Sequence, residues 1–464
     1  MKSLPLLCLV AILPFTEIHA ATGWEAVPEI LARIQPPKFP DKDFVITNYG
    51  ATATNDSTEA IRKAIEACHK AGGGRVVVPA GTFLTGAIQL KSNVNLHIAE
   101  GATLKFSPDP AKFLPVVLTR FEGVECMNYS PFIYALDQEN IAVTGKGTLD
   151  GSASLENWWG WTKRGPDETK GRARQSRDLL NEMGEKGVPV AERVFGAGQY
   201  LRPNFVQPYR CRNVLIEGVT IHNSPMWELN PVLCSNVTVR GVNIVSHGPN
   251  NDGCDPESCR DVLIEDCVFD TGDDCIAIKS GRNNDGRRVN VPAENIVVRN
   301  CIMKDGHGGV VMGSEISGHC RNVFVENCKM DSPNLDRALR FKDNARRGGI
   351  IENVFMRNCE VGQVKEAVLT IDLMYEEGSN GVHQAIVRNV EMEGVTSLAS
   401  PRVMWIAGFP GAVIDNVRLK NCAFRGVTAA EKLSNAGSIS FENVTVEPAK
   451  KERSANSRTG SPTE

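Results

Sequence analysis

The sequence has no apolar run long enough to cross a bilayer. Its one sustained stretch, Leu4 to Phe15, falls short of the ~20 residues a spanning helix needs. It also lacks a basic excess: 51 Lys and Arg face 55 Asp and Glu, for a net charge of −4. That balance argues against a nucleic-acid surface, and any anionic ligand would have to be held by locally placed cations. The glycines at Gly72 to Gly74 are followed by no Gly-Lys-Ser/Thr, so they do not make a phosphate loop. Zinc-ligand spacing is missing. The stretch "RNNDGRR" from Arg282 lacks the twelfth-position Glu of a calcium loop and reads as a turn. Nothing in the residues calls for a metal or a cofactor. Aromatic residues are sparse at 6 %, and 42 glycines accompany them, a composition that suits an all-β chain full of turns.

What is present begins with a leader. In "MKSLPLLCLVAILPFTEIHA", Lys2 supplies a positive start, Leu4 to Phe15 an apolar centre, and Ala20 a small residue before a cleavage site. The pattern predicts export, with residues 1–20 removed and the product periplasmic or extracellular. Residues 447–464 are polar and rich in Lys, Ser and Thr, and read as a disordered tail. Between them, 21–446 is long enough for one large, elongated domain.

That domain repeats. "RNVLIEGVTI" from Arg212, "SNVTVRGVNI" from Ser235, "RDVLIEDCVF" from Arg260, "ENIVVRNCIM" from Glu294, "RNVFVENCKM" from Arg321 and "ENVFMRNCEV" from Glu352 are copies of one unit. Weaker copies start at Gln384 and Asp415, and an early one, "ENIAVTGKGTLDG", at Glu139. The spacing, roughly 23 to 34 residues, is a solenoid period. Within a copy, apolar residues alternate, as in Val214, Ile216, Val219 and Ile221, with a break at Gly218. The corresponding breaks are Gly241, Asp266, Asn300, Asn327, Asn358 and Asn421, all types that tolerate left-handed backbone. Each unit is therefore two short strands joined by a tight turn, plus a variable remainder. Stacked, such units make a single-domain, all-β, right-handed parallel β-helix. A leucine-rich repeat is disfavoured because the Leu spacing is wrong and no helix recurs.

The alignment also accounts for cysteines. Cys267, Cys301, Cys328, Cys359 and Cys422 stand where other coils have Val219 and Val242, which predicts a stack of buried thiols rather than disulfides. Fourteen cysteines less Cys8 in the leader leave thirteen, an odd number, and Cys254 with Cys259 is the pair most suited to a bridge. The exposed end of a β-helix needs cover. "DSTEAIRKAIEACHKAGGG" offers a short helix with Asp56 and Glu59 at capping-box spacing and an apolar stripe of Ile61, Ile65 and Cys68. It is expected to cap the N-terminal end within a region of about 39–110.

Counted from Asn236, Asp261, Asn295, Asn322 and Asn353, Asp252 falls at +16, Asp273 and Asp274 at +12 and +13, and His307 at +12. Arg340 and Lys342 fall at +18 and +20, and Tyr375 at +22. All lie in the later half of their coils. Coils stack about 4.8 Å apart, so these residues gather on one face, with Asp273 beside His307 and Asp252 one coil away. Three carboxylates in one patch repel and raise at least one pKa, giving an acid beside ionised neighbours, as glycoside hydrolysis requires. Arg and Lys nearby suit a substrate carboxylate. Asp255 and Asp285 read instead as turn residues. His97, His222 and His383 read as structural, and His247 could line the cleft.

Four short motifs resemble the signatures of polygalacturonases, family 28 of the glycoside hydrolases: "NND" at Asn250–Asp252, "GDD" at Gly272–Asp274, "GHG" at Gly306–Gly308 and "RFK" at Arg340–Lys342. Asn251 and Phe341 depart from the usual Thr and Ile. The resemblance spans about Phe39 to Val446. It implies an inverting hydrolase of α-1,4-galacturonosyl linkages in pectin, with Asp273 as general acid, Asp252 and Asp274 activating water, and His307 tuning Asp273. It further implies Arg340, Lys342, Tyr375 and Asn250 as substrate contacts. Inversion rests on the resemblance alone, because sequence does not give the carboxyl separation.

Seventy-three residues separate Asn140 from Asn213, far more than one coil needs. The excess, an inserted loop of about 151–205, carries Trp158, Trp159 and Trp161 for stacking on sugars and Arg202, with Arg210 beyond it, for a terminal carboxylate. A loop walling off one end of the cleft predicts exo action, as in the bacterial exo-acting members that the chain resembles. The expected partner is a pectic polysaccharide or oligogalacturonide acted on by a monomer, with no nucleic acid and no membrane. Alternatives are a rhamnogalacturonan or other pectin-backbone hydrolase, a calcium-dependent pectate lyase, which would need a calcium cluster, and a non-catalytic polysaccharide-binding β-helix.

Overall fold

The computed structural model describes residues 23–162 and 172–450. The chain winds as a right-handed parallel β-helix. One sheet holds 13 strands and a second holds 12. A third face carries a 6-stranded and a 3-stranded sheet. The first two sheets are the paired strands of the repeat. The third, which includes Ile276–Ile278, Val310–Met312 and Arg337–Lys342, is the "remainder" that the alternation did not resolve.

Left-handed residues turn the corners. Gly218, Gly241, Asp266, Asn300, Asn327, Asn358 and Asn421 all have positive φ, between 50° and 78°, as their residue types predict. A second left-handed column was not anticipated: Asn213, Asn236, Asp261, Asn295, Asn322 and Asn353, with φ from 55° to 58°. Each Asn amide in this column donates to the side-chain oxygen of the coil before it, as in Asn236 to Asn213 at 2.7 Å and Asn322 to Asn295 at 3.0 Å. A net ~0.5–1.5 kcal/mol per bond, repeated coil after coil, holds the register. Asp261 has no amide to donate, so the ladder breaks there and Asn236 Oδ1 needs another donor. The N-terminal arm supplies it: Gln35 N donates to Asn236 Oδ1 at 2.8 Å, and Arg33 Nη2 to Asp261 at 2.9 Å. Helix α1 (Val27–Arg33) precedes this contact and lays Val27 and Ile30 on Leu263, Val297, Phe324 and Phe355, outward-facing residues of the first sheet.

Helix α2 (Thr58–Lys70) buries Ile61, Ile65 and Cys68 as expected. Its cap differs from the expected box. Asp56 accepts from Thr58 N at 2.9 Å, while Glu59 turns outward to Arg62. The thiol stack of Cys267, Cys301, Cys328, Cys359 and Cys422 is buried and free. The expectation of a Cys254–Cys259 bridge is corrected: both are free, and Cys259 continues a separate ladder in which Cys234 N donates to its sulfur and Cys211 N to that of Cys234.

The insertion is not a plain loop. It contains helix α3 (Arg172–Glu185), whose Leu180 packs with Phe121, Val124 and Trp227. "NNDGRRV" is also helical, α4 (Asn283–Val289), not a turn, with Asp285 buried against Arg193 and Arg288. At the C-terminal end, the last strand runs Thr445–Pro448, so the first residues assigned to the tail are still part of a coil. Residues 1–20, expected to be a leader, and the expected tail beyond residue 450 lie outside the described residues. Among those described, no helix is long and apolar enough to cross a membrane.

Candidate active site

The floor of the site is the outer face of the third sheet. Alternation sends Ile276, Ile278, Leu339 and Phe341 into the core, which turns Ala277, Lys279, Arg340 and Lys342 outward. Parallel register aligns Ala277 with Val311 and Val311 with Arg340, while Glu257 pairs with Lys279. The "NND" and "GDD" turns enter this sheet from its edge. Asn251 is wholly buried and spends its side chain on the turn: it accepts from Gly248 N at 2.7 Å and Ser246 Oγ at 2.8 Å and donates to the carbonyls of Ser224 and Met226. It is the staple that fixes the neighbouring Asp252.

Asp252, Asp273 and Asp274 each bring an oxygen within 4.8 Å of the other two. Asp273 accepts from or pairs with His307 Nδ1 at 3.0 Å, as the shared offset predicted. That contact pulls the His307 pKa above its ordinary value despite partial burial. Asp274 is fully buried, and burial alone would push its carboxyl up. Lys342 Nζ at 2.5 Å and Arg340 Nη1 at 3.5 Å outweigh this and hold it below the usual carboxylate range. Asp252 goes the other way: burial first, then repulsion from Asp255 and Asp273, raises it well above the ordinary value. The two neighbours are thus pushed apart, Asp274 toward the ionised form and Asp252 toward the protonated one.

The structure gathers Asp252, Asp273, Asp274, His307, Arg340, Lys342 and Tyr375 into one cluster. The Tyr375 ring lies 5.6 Å from the Arg340 guanidinium and 5.4 Å from Lys342 Nζ. Two expectations change. Lys342 is not a free cation awaiting substrate, because its ammonium is committed to Asp274. Arg202 is 2 % exposed, its Nη1 donating to the carbonyls of Pro225 and Pro249 and its Nη2 to Asn250 Oδ1. It therefore braces the Asn250 turn from beneath instead of reaching for a ligand, and burial pushes its pKa down to about 10. Asn250 itself remains at the rim. Of the tryptophans, Trp158 is a core residue packed on Phe113 and Phe132, and Trp159 donates to Ser224 O, so neither is a free stacking platform. Arg210 is paired with Asp137. His247 is half-exposed and bonds Asp270 at 2.9 Å.

Sequence reasoning missed Lys279, whose buried ammonium stands 3.6 Å from Asp252, 3.7 Å from Asp255 and 3.3 Å from Glu315. The signal was present: Ala277–Lys279 follows "GDDC" with the same outward alternation as Arg340–Lys342 around Phe341. Asp255, read as a turn residue, is instead a fully buried carboxyl facing that lysine. A cavity of about 860 Å³ opens beside Asn250, walled by α3 and lined by Arg177, Tyr200, Arg282 and Glu376. Its cations are partly neutralised: Arg177 meets Glu122 at 2.6 Å and Arg282 meets Glu376 at 3.3 Å.

A solenoid groove floored by cations and holding three clustered carboxyls, one bonded to a histidine, defines a glycoside hydrolase. The sequence profile of glycosyl hydrolases family 28 matches residues 196–447, and the chain belongs to that family. It is 46 % identical to the crystal structure of a hyperthermoactive exopolygalacturonase from Thermotoga maritima, covering 93 % of this chain and 97 % of that one, with a TM-score of 0.89. It is 27 % identical over 384 residues to a probable polygalacturonase of Vitis vinifera, covering 78 % of this chain and 71 % of that protein. It is also 29 % identical over 356 residues to an exo-poly-alpha-D-galacturonosidase of Dickeya chrysanthemi. The match covers 73 % of this chain and 58 % of that protein's length.

Proposed function

We propose that the protein is an exported polygalacturonase that hydrolyses α-1,4-galacturonosyl linkages of homogalacturonan from a chain end. The observation that carries the reading is the cluster of Asp252, Asp273 and Asp274 with His307 on Asp273. Asp273, the most accessible of the three carboxyls, gives its proton to the leaving glycosidic oxygen. Asp252 and Asp274 take up the proton of the water that attacks the anomeric carbon. His307 orients Asp273 and returns a proton to it after turnover. Arg340, Tyr375 and Asn250 contact the sugar, and Arg340 engages the uronate carboxylate from beneath the Tyr375 ring.

Exo action is supported by the insertion, whose helix α3 walls the cavity beside Asn250, and by the similarity to exo-acting relatives. Viscosity against reducing ends tests it. Exo cleavage releases many ends before viscosity falls, whereas an early collapse of viscosity with few new ends means internal cleavage and refutes the exo assignment.

Inversion rests on the resemblance to polygalacturonases. One observation favours the alternative: the carboxyl oxygens lie within 4.8 Å, closer than the about 6.5–9.5 Å common in inverting enzymes and nearer the spacing of retaining ones. Inversion then requires the water to be held by the Asp252 and Asp274 pair together, to the side of Asp273. The configuration of the first product decides between the two.

A further inference from the structure

We propose that Lys279 is a positioning residue for hydrolysis: its buried ammonium supplies the positive charge against which the Asp252 carboxylate is held, in competition with Glu315. This rests on the reading of Asp252 as a base. Lys279 is 2 % exposed, and its ammonium donates to Gly313 O at 3.3 Å and lies 4.5 Å from the Trp227 ring. It is therefore enclosed beneath the sugar-binding surface and does not reach out to a ligand.

The geometry shows a shared charge. From the preceding coil Lys279 meets Asp252 and Asp255, and its register partner is Glu257. Glu257 is neutralised separately, by Arg120 at 3.2 Å. From the following coil comes Glu315, at 3.3 Å the closest of the three carboxylates around the ammonium. Glu315 also has Arg282 at 3.5 Å and is held below the ordinary carboxylate range by both cations, against its burial. On its own coil Lys279 faces Asp274, which Lys342 and Arg340 satisfy. Asp252 is left with less than it needs. Among the described residues its Oδ1 has no hydrogen-bond partner, and the neighbouring carboxyls Asp255, Asp273 and Asp274 repel it. Glu228, buried beside the same turn, adds another carboxyl. Arg202, the second cation that Asp252 feels, spends its Nη groups on Pro225, Pro249 and Asn250, while Lys279 stands 3.6 Å away. Lys279 is thus the cation that makes Asp252 available as a base.

Two variants move Asp252 in opposite directions. Lys279→Met keeps most of the apolar stem and removes the charge. It should raise the acid limb of the kcat/KM profile by about one pH unit or more, since an opposite charge within ~4–6 Å shifts a carboxyl by 1–3 units. The fall should lie in kcat more than in KM. Glu315→Gln frees Lys279 for Asp252 and should move the same limb to lower pH. A merely structural lysine would lower activity at every pH and leave the limbs in place. Should Lys279→Met not fold, Glu315→Gln decides alone: an acid limb that stays put or rises overturns the proposal. A second readout needs no substrate. Infrared titration with carbon-13-labelled aspartate, between about pH 4 and 8 and in an Asp255→Asn background because Asp255 shares the ammonium, should show more protonated aspartate with Lys279→Met than without it and less with Glu315→Gln. Wild type that leaves polygalacturonate intact would overturn the reading of homogalacturonan as substrate, while the infrared titration still decides the role of Lys279. Unchanged spectra overturn that role whatever the activity.

Discussion

Replacing Lys342 by Met should destabilise the protein by an amount that grows with pH. Lys342 Nζ lies 2.5 Å from Asp274 Oδ2, and both are buried. Removing one partner of a buried pair costs ~3–5 kcal/mol. Met preserves most of the packing of the stem, and Arg340 remains 3.5 Å from Asp274, so the lower end, about 3 kcal/mol, applies. The penalty has a pH signature. In wild type the Asp274 pKa is depressed, so its contribution to stability is present above the unfolded value of ~3.9 and is lost as pH falls through the folded value. In the variant the folded pKa is raised instead. Asp274 then folds as the neutral acid, and each pH unit above ~4 costs about 1.4 kcal/mol. The gap from wild type should therefore begin to open below pH 4, as wild type gains from Asp274 and the variant does not, and reach its ceiling of about 3 kcal/mol by about two units above it. Urea midpoints, with thermal midpoints at a fixed scan rate, measure it. The Asp274→Asn/Lys342→Met double variant, which removes both charges of the pair and leaves Arg340 as the cation beside them, should show a flatter gap and be more stable than the single variant near pH 7. A Lys342→Met gap independent of pH, or a double variant no better than the single, would refute the reasoning.

Asp273→Asn should fold with an unchanged thermal midpoint and lose about 10²–10⁴ in kcat, the usual worth of general acid catalysis; near-normal turnover would remove Asp273 from the mechanism. Arg340→Gln should lower kcat/KM on polygalacturonate by about 10- to 100-fold, the worth of one hydrogen bond to a charged group. The loss on methyl-esterified substrate should be smaller, and equal losses would mean that Arg340 acts only by holding Asp274. All thirteen cysteines from Cys68 to Cys422 are free and buried, so a thiol reagent should find almost none in the native protein and all thirteen after denaturation, with the thermal midpoint indifferent to reductant.

Much of this architecture was legible because its cause is periodic. A break at Gly218 or Asn300 must recur in every coil, and a Cys must replace a Val at the same depth, so alignment of the copies exposes both. The shared offset of Asp273 and His307 translated directly into a 3.0 Å contact. What stayed hidden depends on partners that are not periodic. Arg202 looks like an available cation until Pro225, Pro249 and Asn250 are seen to close around it. Lys279 looks like one more charge on a strand until three carboxylates from other coils converge on it. Helix α3 escapes the sequence because the insertion belongs to no repeat and only a weak apolar face, Leu180 and its neighbours, marks it.

The most direct measurement is a proton NMR time course of polygalacturonate with the enzyme, watching the anomeric region from the first minutes, before mutarotation. Saturated galacturonate should appear first as the β-anomer, with the α-anomer rising only later. First appearance of the α-anomer would establish retention, in line with the short carboxyl separation, and would contradict the assignment of Asp252 and Asp274 as the pair that activates water. Vinylic signals of an unsaturated product would mean elimination, and the hydrolytic account would fall with them.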